Sequence, residues 1–424
     1  MTDSYLGIDV GTSGVRAILI DAYGEILSTS RAPLAASFEK DNMLCQQPAD
    51  WWQAVLTCLQ HISAKCDLSS LQAIAIDGTS GTTLLTDGHN TPISPALMYN
   101  DVRPAEFVSQ LCKQTPPVPA CSRSGGLAKA AWLCQGLSFT TEFHIQQQAD
   151  WILSQFSGKP GISDWNNVLK MGFDVEQLAW PEWLKMIDLG KGRLPDAYPP
   201  GKRVATISAD IAKQTGLPET TQLHAGTTDS IAAFIASGAS QPGDAVTSLG
   251  STLVLKLCTR IPIVSENHGI YSHRLDEKRW LAGGASNSGG SVLKNLFSDN
   301  ELVTLSEQML PEQDTGFDYY PLPSTGERFP IPDADKKPVM YPVPENRAIY
   351  LQAIFEGIAR IEKHGYDLLE ELGAETVQSI RTAGGGAVNA AWTSIRKRIV
   401  KRPLLQADHT EAAYGSALLA AGRL

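Results

Sequence analysis

The chain has 424 residues, enough for two domains of ordinary size, and its 43% hydrophobic and 19% charged residues, with 36 glycines and 25 prolines, describe a folded protein rich in tight turns rather than a disordered one. A formal net charge of −10 argues against a general nucleic-acid binder, which needs a positive stripe to displace counterions from phosphates. Seven cysteines without a C-x-x-C pair or ligand-like spacing read as reduced thiols, and neither a signal peptide nor an apolar run near the ~20 residues of a membrane span is visible, so a cytoplasmic protein is expected.

Tyr5–Val10 and Val15–Ile20 are apolar and β-branched, and the glycine turn between them predicts a β-hairpin that continues past Ala22-Tyr23-Gly24 into a third strand. Trp52, Val55, Leu56 and Leu59 then recur at helical spacing, predicting a helix over Trp51–Ser63 with Asp50 as its N-cap. Leu71–Ile76 reads as a strand that ends in "DGTSGTT", ahead of Leu84-Leu85 and a turn at Asp87-Gly88. Helices are expected over Gly125–Gly136 and Ala149–Phe156, after which the pattern loses its period as far as Pro200. It returns with a helix over Ala209–Thr215, a strand over Gln222–Ala225, and "AGTTDSIAAFIASG", where a glycine-threonine turn opens a helix at Asp229. "AVTSLGSTLVLKLC" repeats the strand, turn, strand of the opening, which predicts an internal repeat with each half starting on a hairpin. Ile349–Leu372 is a long amphipathic helix, Ser379–Thr382 a strand, "AGGGAVNAAWTSIRKRIV" a glycine turn feeding a helix, and Thr410–Gly422 a terminal helix. Arg396-Lys397-Arg398 with Lys401 and Arg402 reads as the solvated end of a helix.

Three stretches carry chemistry. Between two apolar strands, Asp9-Val10-Gly11-Thr12-Ser13-Gly14 offers backbone N–H groups unobstructed by Cβ atoms, with the Thr12 and Ser13 hydroxyls as further donors; this suits phosphate or is simply a tight turn. The lysine and following helix of a G-x-x-x-x-G-K-[ST] loop are missing, and so is G-x-G-x-x-G. Asp9 beside phosphate would repel it unless a divalent cation, Mg²⁺ with its water shell, lay between. Asp229 follows Gly226-Thr227-Thr228 at a helix start, as a plain cap or as the carboxylate that takes a proton from a hydroxyl during phosphoryl transfer. Gly384-Gly385-Gly386 is a packing turn or a bed for a flat base, with the Asn389 amide and the Trp392 indole beside it.

In their order along the chain these motifs resemble those of the FGGY carbohydrate kinases of the actin-like ATPase superfamily. "GIDVGTSGVRA" is similar to the family's first phosphate motif, "HAGTTDSIAAFIASG" to the second, "SLGSTLVL" to the connecting hairpin and "TAGGGAVNAAW" to the adenosine motif; "ADWILSQFSGKPGISDWNNVLKMGFDV" and "MYNDVRP" match further stretches. The resemblance implies an α/β fold of two actin-like, ribonuclease H-like ATPase domains around a central cleft. It places a sugar-binding domain over residues 1–236, with a helix at about 411–424 packing back on it, and an ATP-binding domain over 237–410. It implies ATP and Mg²⁺ as cofactors, a small-molecule sugar as substrate, and neither nucleic acid nor membrane as partner. Residue by residue it implies Asp229 as catalytic base; Asp9 facing the metal; Gly11, Thr12, Ser13, Gly14, Gly250, Ser251 and Thr252 around the phosphates; and Gly385, Gly386, Asn389 and Trp392 around the adenosine. Ser80, Asp229, Ser230 and Asp101 fall on the sugar side, with Asn100, Asp101 and Arg103 as the weaker candidates; Asp101 and Arg103 equally suit a surface ion pair. Where xylulokinases of the family usually carry a methionine-histidine pair, this chain has Thr79-Ser80. A compact chain with "DGTSGT" and "GGASNSGGSVLKNLF" (Gly283–Phe297) is more similar to the short subgroup of cyanobacteria and plants, whose substrate resembles D-ribulose, so C5 phosphorylation of D-ribulose is expected. D-Xylulose or another ketose or polyol is the near alternative, and an actin-fold ATPase or sensor without sugar phosphorylation the distant one.

Overall fold

A computed structural model describes residues 2–40, 43–101, 113, 119–122, 125–135 and 141–424. The chain divides into two compact units: Met1–Ala236 with Glu411–Leu424, and Ser237–Thr410.

The first unit is built on a six-stranded sheet. Strand β1 (Ser4–Val10) pairs antiparallel with β2 (Gly14–Asp21), which pairs with β3 (Ile26–Pro33). Helix α1 (Pro48–Ser63) packs Trp51, Val55, Cys58, Leu59 and Ile62 into the core. It starts ahead of the expected Trp51 because Pro48 occupies its first turn, where a missing N–H costs nothing, so Asp50 lies inside the helix and is not its N-cap. Strand β4 (Leu71–Gly78) is parallel to β1, and β5 (Thr83–Thr86) belongs to a second six-stranded sheet. Helix α2 (Gly126–Gln135), strand β6 (Phe143–Gln147) and helix α3 (Gln148–Ser157) follow. Strand β7 (Arg203–Thr206) edges the first sheet, β8 (Gln222–Thr228) runs parallel to β4, and helix α4 (Asp229–Ala236) leaves directly from the end of β8. The sheet order is β7-β8-β4-β1-β2-β3.

Gly226-Thr227-Thr228 is therefore strand and not the turn expected from sequence. The reason for its glycine is proximity: a Cβ at Gly226 would stand 1.6 Å from the Ile76 carbonyl oxygen, inside the neighbouring strand. The C-terminal helix (Ala412–Ala420) closes over β1, with a Cβ on Gly7 falling 1.9 Å from the Ala413 carbonyl and one on Gly415 falling 1.9 Å from that of Ala232. Backbone contact at this range is why small residues line both partners.

In the second unit, β9 (Asp244–Leu249) and β10 (Leu253–Thr259) form the expected second hairpin. Strands β11 (Tyr271–Arg274) and β12 (Trp280–Ser286) extend it, helix α5 (Gly290–Leu296) follows, and the long helix α6 (Arg347–Glu371) gives the core more residues than any other element. Strand β13 (Ser379–Ala383), helix α7 (Ala390–Val400) and strand β14 (Leu404–Gln406) complete a sheet ordered β11-β12-β10-β9-β13-β14. Within it β12-β10-β9-β13-β14 has the directions of β3-β2-β1-β4-β8: an antiparallel meander followed by two parallel strands. The repeat read from two short hairpins is thus a repeat of whole sheets.

The basic cluster is solvated only at Lys397 and Lys401, which are exposed. Arg396 is fully buried and forks onto Glu362 with two 2.7 Å hydrogen bonds, Arg398 reaches Glu356 at 2.6 Å, and Arg402 reaches Asp367 and Glu370 at 2.8 and 2.9 Å. These arginines bolt α7 and its C-terminal end to carboxylates of α6, which formal charge alone could not reveal.

Candidate active site

Three parallel strands of the first unit deliver acidic residues at one end of the sheet. Asp9 on β1 stands opposite Asp77 on β4, Asp77 stands opposite Thr227 on β8, and Asp229 comes two residues later at the start of α4. Open α/β sheets bind ligands at such carboxyl ends. Asp9 is 5% exposed and takes a 3.0 Å hydrogen bond from the Arg16 guanidinium on β2; burial raises its carboxyl above the usual range while Arg16 pulls the other way. Asp77 is fully buried, and burial followed by the charges of Asp9 and Asp229 pushes its carboxyl well above the ordinary value. Its Oδ2 accepts a 2.6 Å bond from Ser416 of the C-terminal helix, and its Oδ1 has no partner among the described residues. Two carboxyl groups side by side cannot both ionise cheaply, so Asp77 holds the proton and Asp9 keeps the arginine. Half-buried Asp229 accepts a 2.6 Å bond from the Ser230 N–H, and Ser230 is exposed.

The Gly11–Gly14 turn closes on a 3.1 Å bond from Gly11 N to Gly14 O. Gln46 Nε2 donates to Thr12 O at 2.8 Å and anchors the loop, while the Thr12 and Ser13 hydroxyls, both reached by solvent, make no hydrogen bond among the described residues. Ser80, in the turn after β4, is half-buried, and its Oγ is sealed without a partner among the described residues. Asp101 is 2% exposed and accepts a 2.7 Å bond from Leu44 N, so it lies beneath the surface and not on it. Asn100 is exposed, and Arg103 lies outside the described residues.

In the second unit the Gly250-Ser251-Thr252 turn meets two other glycine-bearing segments. Gly290 N donates to Gly250 O at 2.8 Å and Ser291 N to Ser251 O at 3.0 Å, while a Cβ on Gly384 would fall 2.8 Å from the Leu249 carbonyl. Gly384 also has φ +83°, so only glycine suits both its conformation and its neighbour. Gly385 is exposed, with nothing within 4 Å of a Cβ built there. Two expected adenosine contacts are committed elsewhere. Trp392 is 2% exposed, stacks on Phe355 at a 4.5 Å centroid distance, and lies beneath Gly386, where a Cβ would stand 2.6 Å from its ring. Asn389 caps α7 by accepting from Trp392 N at 2.9 Å and donates to Ser306 Oγ at 2.8 Å. Both side chains shape the glycine turn from below; helical position could not distinguish this from facing a base.

The residues that sequence reasoning passed over are Asp77, Arg16 and Ser416. Asp77 had a visible signal, since "AIAIDG" repeats the lone acid in an apolar strand that singled out "LGIDVG". Ser416, 339 residues away, had none.

The family model for the N-terminal domain of the FGGY family of carbohydrate kinases matches residues 4–236, and that for the family's C-terminal domain matches residues 245–423. The chain belongs to the FGGY family of carbohydrate kinases. It is thus an ATP-dependent carbohydrate kinase, a phosphotransferase with an alcohol acceptor. Among curated relatives, the xylulose kinase of Escherichia coli K12 is 24% identical over 409 residues, covering 92% of this chain and 83% of the relative. The gluconokinase of Bacillus subtilis is 20% identical, covering 97% of this chain and 86% of the relative. The crystal structure of a Brucella ovis protein described as a xyloylose kinase superposes with a TM-score of 0.90 at 21% identity, covering 99% of this chain and 90% of that one. The Plasmodium falciparum glycerol kinase with ADP gives 0.87 at 18% identity, covering 100% and 90%. At those identities the structures establish the two-domain actin-like α/β fold of the FGGY kinase, not its substrate.

Proposed function

We propose that this FGGY kinase phosphorylates a pentulose, D-ribulose at its C5 hydroxyl in preference to D-xylulose. In this reading residues 1–236 with the helix at 411–424 hold the sugar, and residues 237–410 hold the nucleotide. Asp229 takes the proton from the attacking hydroxyl; Ser80, Ser230 and Asp101 belong to the sugar side. The backbone from Gly11 to Gly14 with the Thr12 and Ser13 hydroxyls, and Gly250, Ser251 and Thr252, donate to the phosphates. Gly385 and Gly386 bed the adenosine, with Asn389 and Trp392 supporting that turn. The observation that carries the sugar assignment is Ser80, whose sealed hydroxyl has no partner among the described residues, on the turn reading Thr79-Ser80.

Mg²⁺ fits the donor set. Among the described residues no three His, Cys, Asp or Glu side chains gather into a cage, and Asp9 offers a single carboxylate. A cation that keeps most of its water and takes one or two carboxylates plus substrate phosphates needs no more. Asp9 would hold it, and the ion would supply charge neutralisation at the phosphates. None of the six described cysteines is joined in a disulfide, which fits the reducing cytoplasm.

The full-length protein with ATP and a panel of ketoses tests the reading. D-Ribulose is expected to give the highest kcat/KM, and Asp229→Ala to lower sugar-dependent ADP release by about 10²–10⁴-fold. A clear preference for D-xylulose, the substrate in the names of several relatives, overturns the ribulose assignment. Full sugar-dependent turnover by Asp229→Ala overturns the base. ATP hydrolysis as fast without sugar as with it would mark an ATPase or sensor instead.

A further inference from the structure

Three sealed polar atoms around the ends of β4 and β8 lack a hydrogen-bond partner among the described residues: Ser80 Oγ, Gln148 Nε2 and Thr228 Oγ1. Gly78 stands opposite Thr228 in the sheet, and Gln148, the first residue of α3, lies along the turn that follows Gly78. Buried polar groups are nearly always paired, so a cluster of exceptions at strand ends that suit a ligand points to a ligand.

Gln148 is the informative member because its orientation is fixed. It is 0% exposed, and its Oε1 accepts from Thr79 N at 2.9 Å and from Thr79 Oγ1 at 2.7 Å. A backbone N–H only donates, so the atom facing it is the oxygen, and the amide cannot be turned round. The hydroxyls agree: Tyr99 N donates to Thr82 Oγ1 at 3.1 Å, and Thr82 Oγ1 lies 2.6 Å from Thr79 Oγ1, so each donates onward and the relay ends on Gln148 Oε1. Nε2 is left as a donor only. Neighbouring Gln147 is fully used, its Oε1 accepting from Gly81 N at 3.1 Å and its Nε2 donating to Thr83 Oγ1 at 3.0 Å.

We propose that Gln148 is a specificity-determining residue, whose Nε2 donates together with Ser80 Oγ to the carbonyl oxygen of an open-chain ketose. A carbonyl oxygen only accepts, so it matches two donors. The hydroxyl of the corresponding pentitol brings a hydrogen of its own, which Gln148 Nε2 cannot accept, so Ser80 Oγ must turn from donor to acceptor and only one of the two donations is kept. This rests on the sugar-kinase reading of the Ser80 turn, and it assigns the turn a preference for ketoses over polyols.

The test is steady-state kinetics of the full chain with ATP on D-ribulose and D-xylulose and on ribitol and xylitol, for wild type, Gln148→Met and Ser80→Ala. Gln148→Met is expected to lower kcat/KM on the better ketose at least about tenfold, mostly through KM, and to lower the ketose-to-pentitol ratio by a similar factor. The KM for ATP stays unchanged. If Gln148→Met does not fold, Gln148→Glu, which keeps the oxygen for Thr79 and replaces the donor, carries the same expectation. An unchanged ketose-to-pentitol ratio, or an equal rise in the KM for ATP, overturns the assignment of Gln148. Should Ser80→Ala alone lose ketose turnover, the sugar reading of the turn stands while Gln148 drops out; should wild type accept no ketose, both fall.

Discussion

Lys129 provides a quantitative test of the first unit's packing. It sits in α2 at 0% exposure, and its ammonium reaches the Gly125 carbonyl at 3.3 Å. Burial, with the nearby charge of Lys170, lowers its pKa from 10.5 to about 7, against the opposing pull of Asp101. The unfolded chain keeps that proton up to about pH 10.5, so between pH 7 and 10.5 the folded protein binds fewer protons than the unfolded one, and stability rises with pH. At 1.36 kcal/mol per tenfold, the cost is about 5 kcal/mol, present in full below pH 7 and lifted as pH approaches 10.5. Lys129→Met keeps the unbranched stem and removes the charge, at a loss of about 1 kcal/mol for the bond to Gly125. Urea unfolding of both chains should therefore show the variant about 4 kcal/mol more stable near neutrality, with the advantage falling by about 1.4 kcal/mol per pH unit above 7. A stability difference that does not change with pH would mean that the folded protein keeps the lysine charged at no cost, and the burial penalty assigned to Lys129 would fall.

Other outcomes follow from single contacts. Gly384→Ala combines a positive φ with a clash against Leu249, and is expected to cost about 1–3 kcal/mol and to raise the KM for ATP more than that for sugar, read by thermal melting and initial rates. Ser416→Ala removes the bond to Asp77 Oδ2, leaving a buried carboxyl with neither oxygen satisfied; a loss of about 1–3 kcal/mol in urea unfolding is expected. Arg396→Met strands Glu362 in the core and should cost about 3–5 kcal/mol, whereas the double variant with Glu362→Leu should recover most of it, a comparison that calorimetry resolves.

Local pattern carried the hairpins, the long helix α6 and the helix over Ala209–Thr215, because each shows its own hydrophobic period within a short window. The Trp165–Tyr198 region escaped because its strands run to two or three residues, as at Gly192–Arg193 and Asp196–Tyr198, too short for a period to appear. At the site, Asp9 and Asp229 stood out as acids next to glycine and hydroxyl residues, and the sheet brings their strands within one strand of each other. What could not be read was how each side chain is spent. Trp392 and Asn389 occupy the positions expected of them but are turned to the core and to a cap, while Arg396 is hidden in a cluster that looked solvated. Residue type gives the chemistry available, and only packing decides which neighbour receives it.

The return of the last helix to the first unit has a bearing on how the protein is made. Residues 237–410 form a compact unit inserted between Ala236 and Glu411, so a ribosome releases that whole unit before the helix that covers β1 exists. Until then Gly7 faces no helix and Asp77 lacks the serine that bonds it. The acidic end of the first sheet is therefore assembled last, and a nascent chain can finish folding its second unit while its first still waits for a lid that translation has yet to deliver.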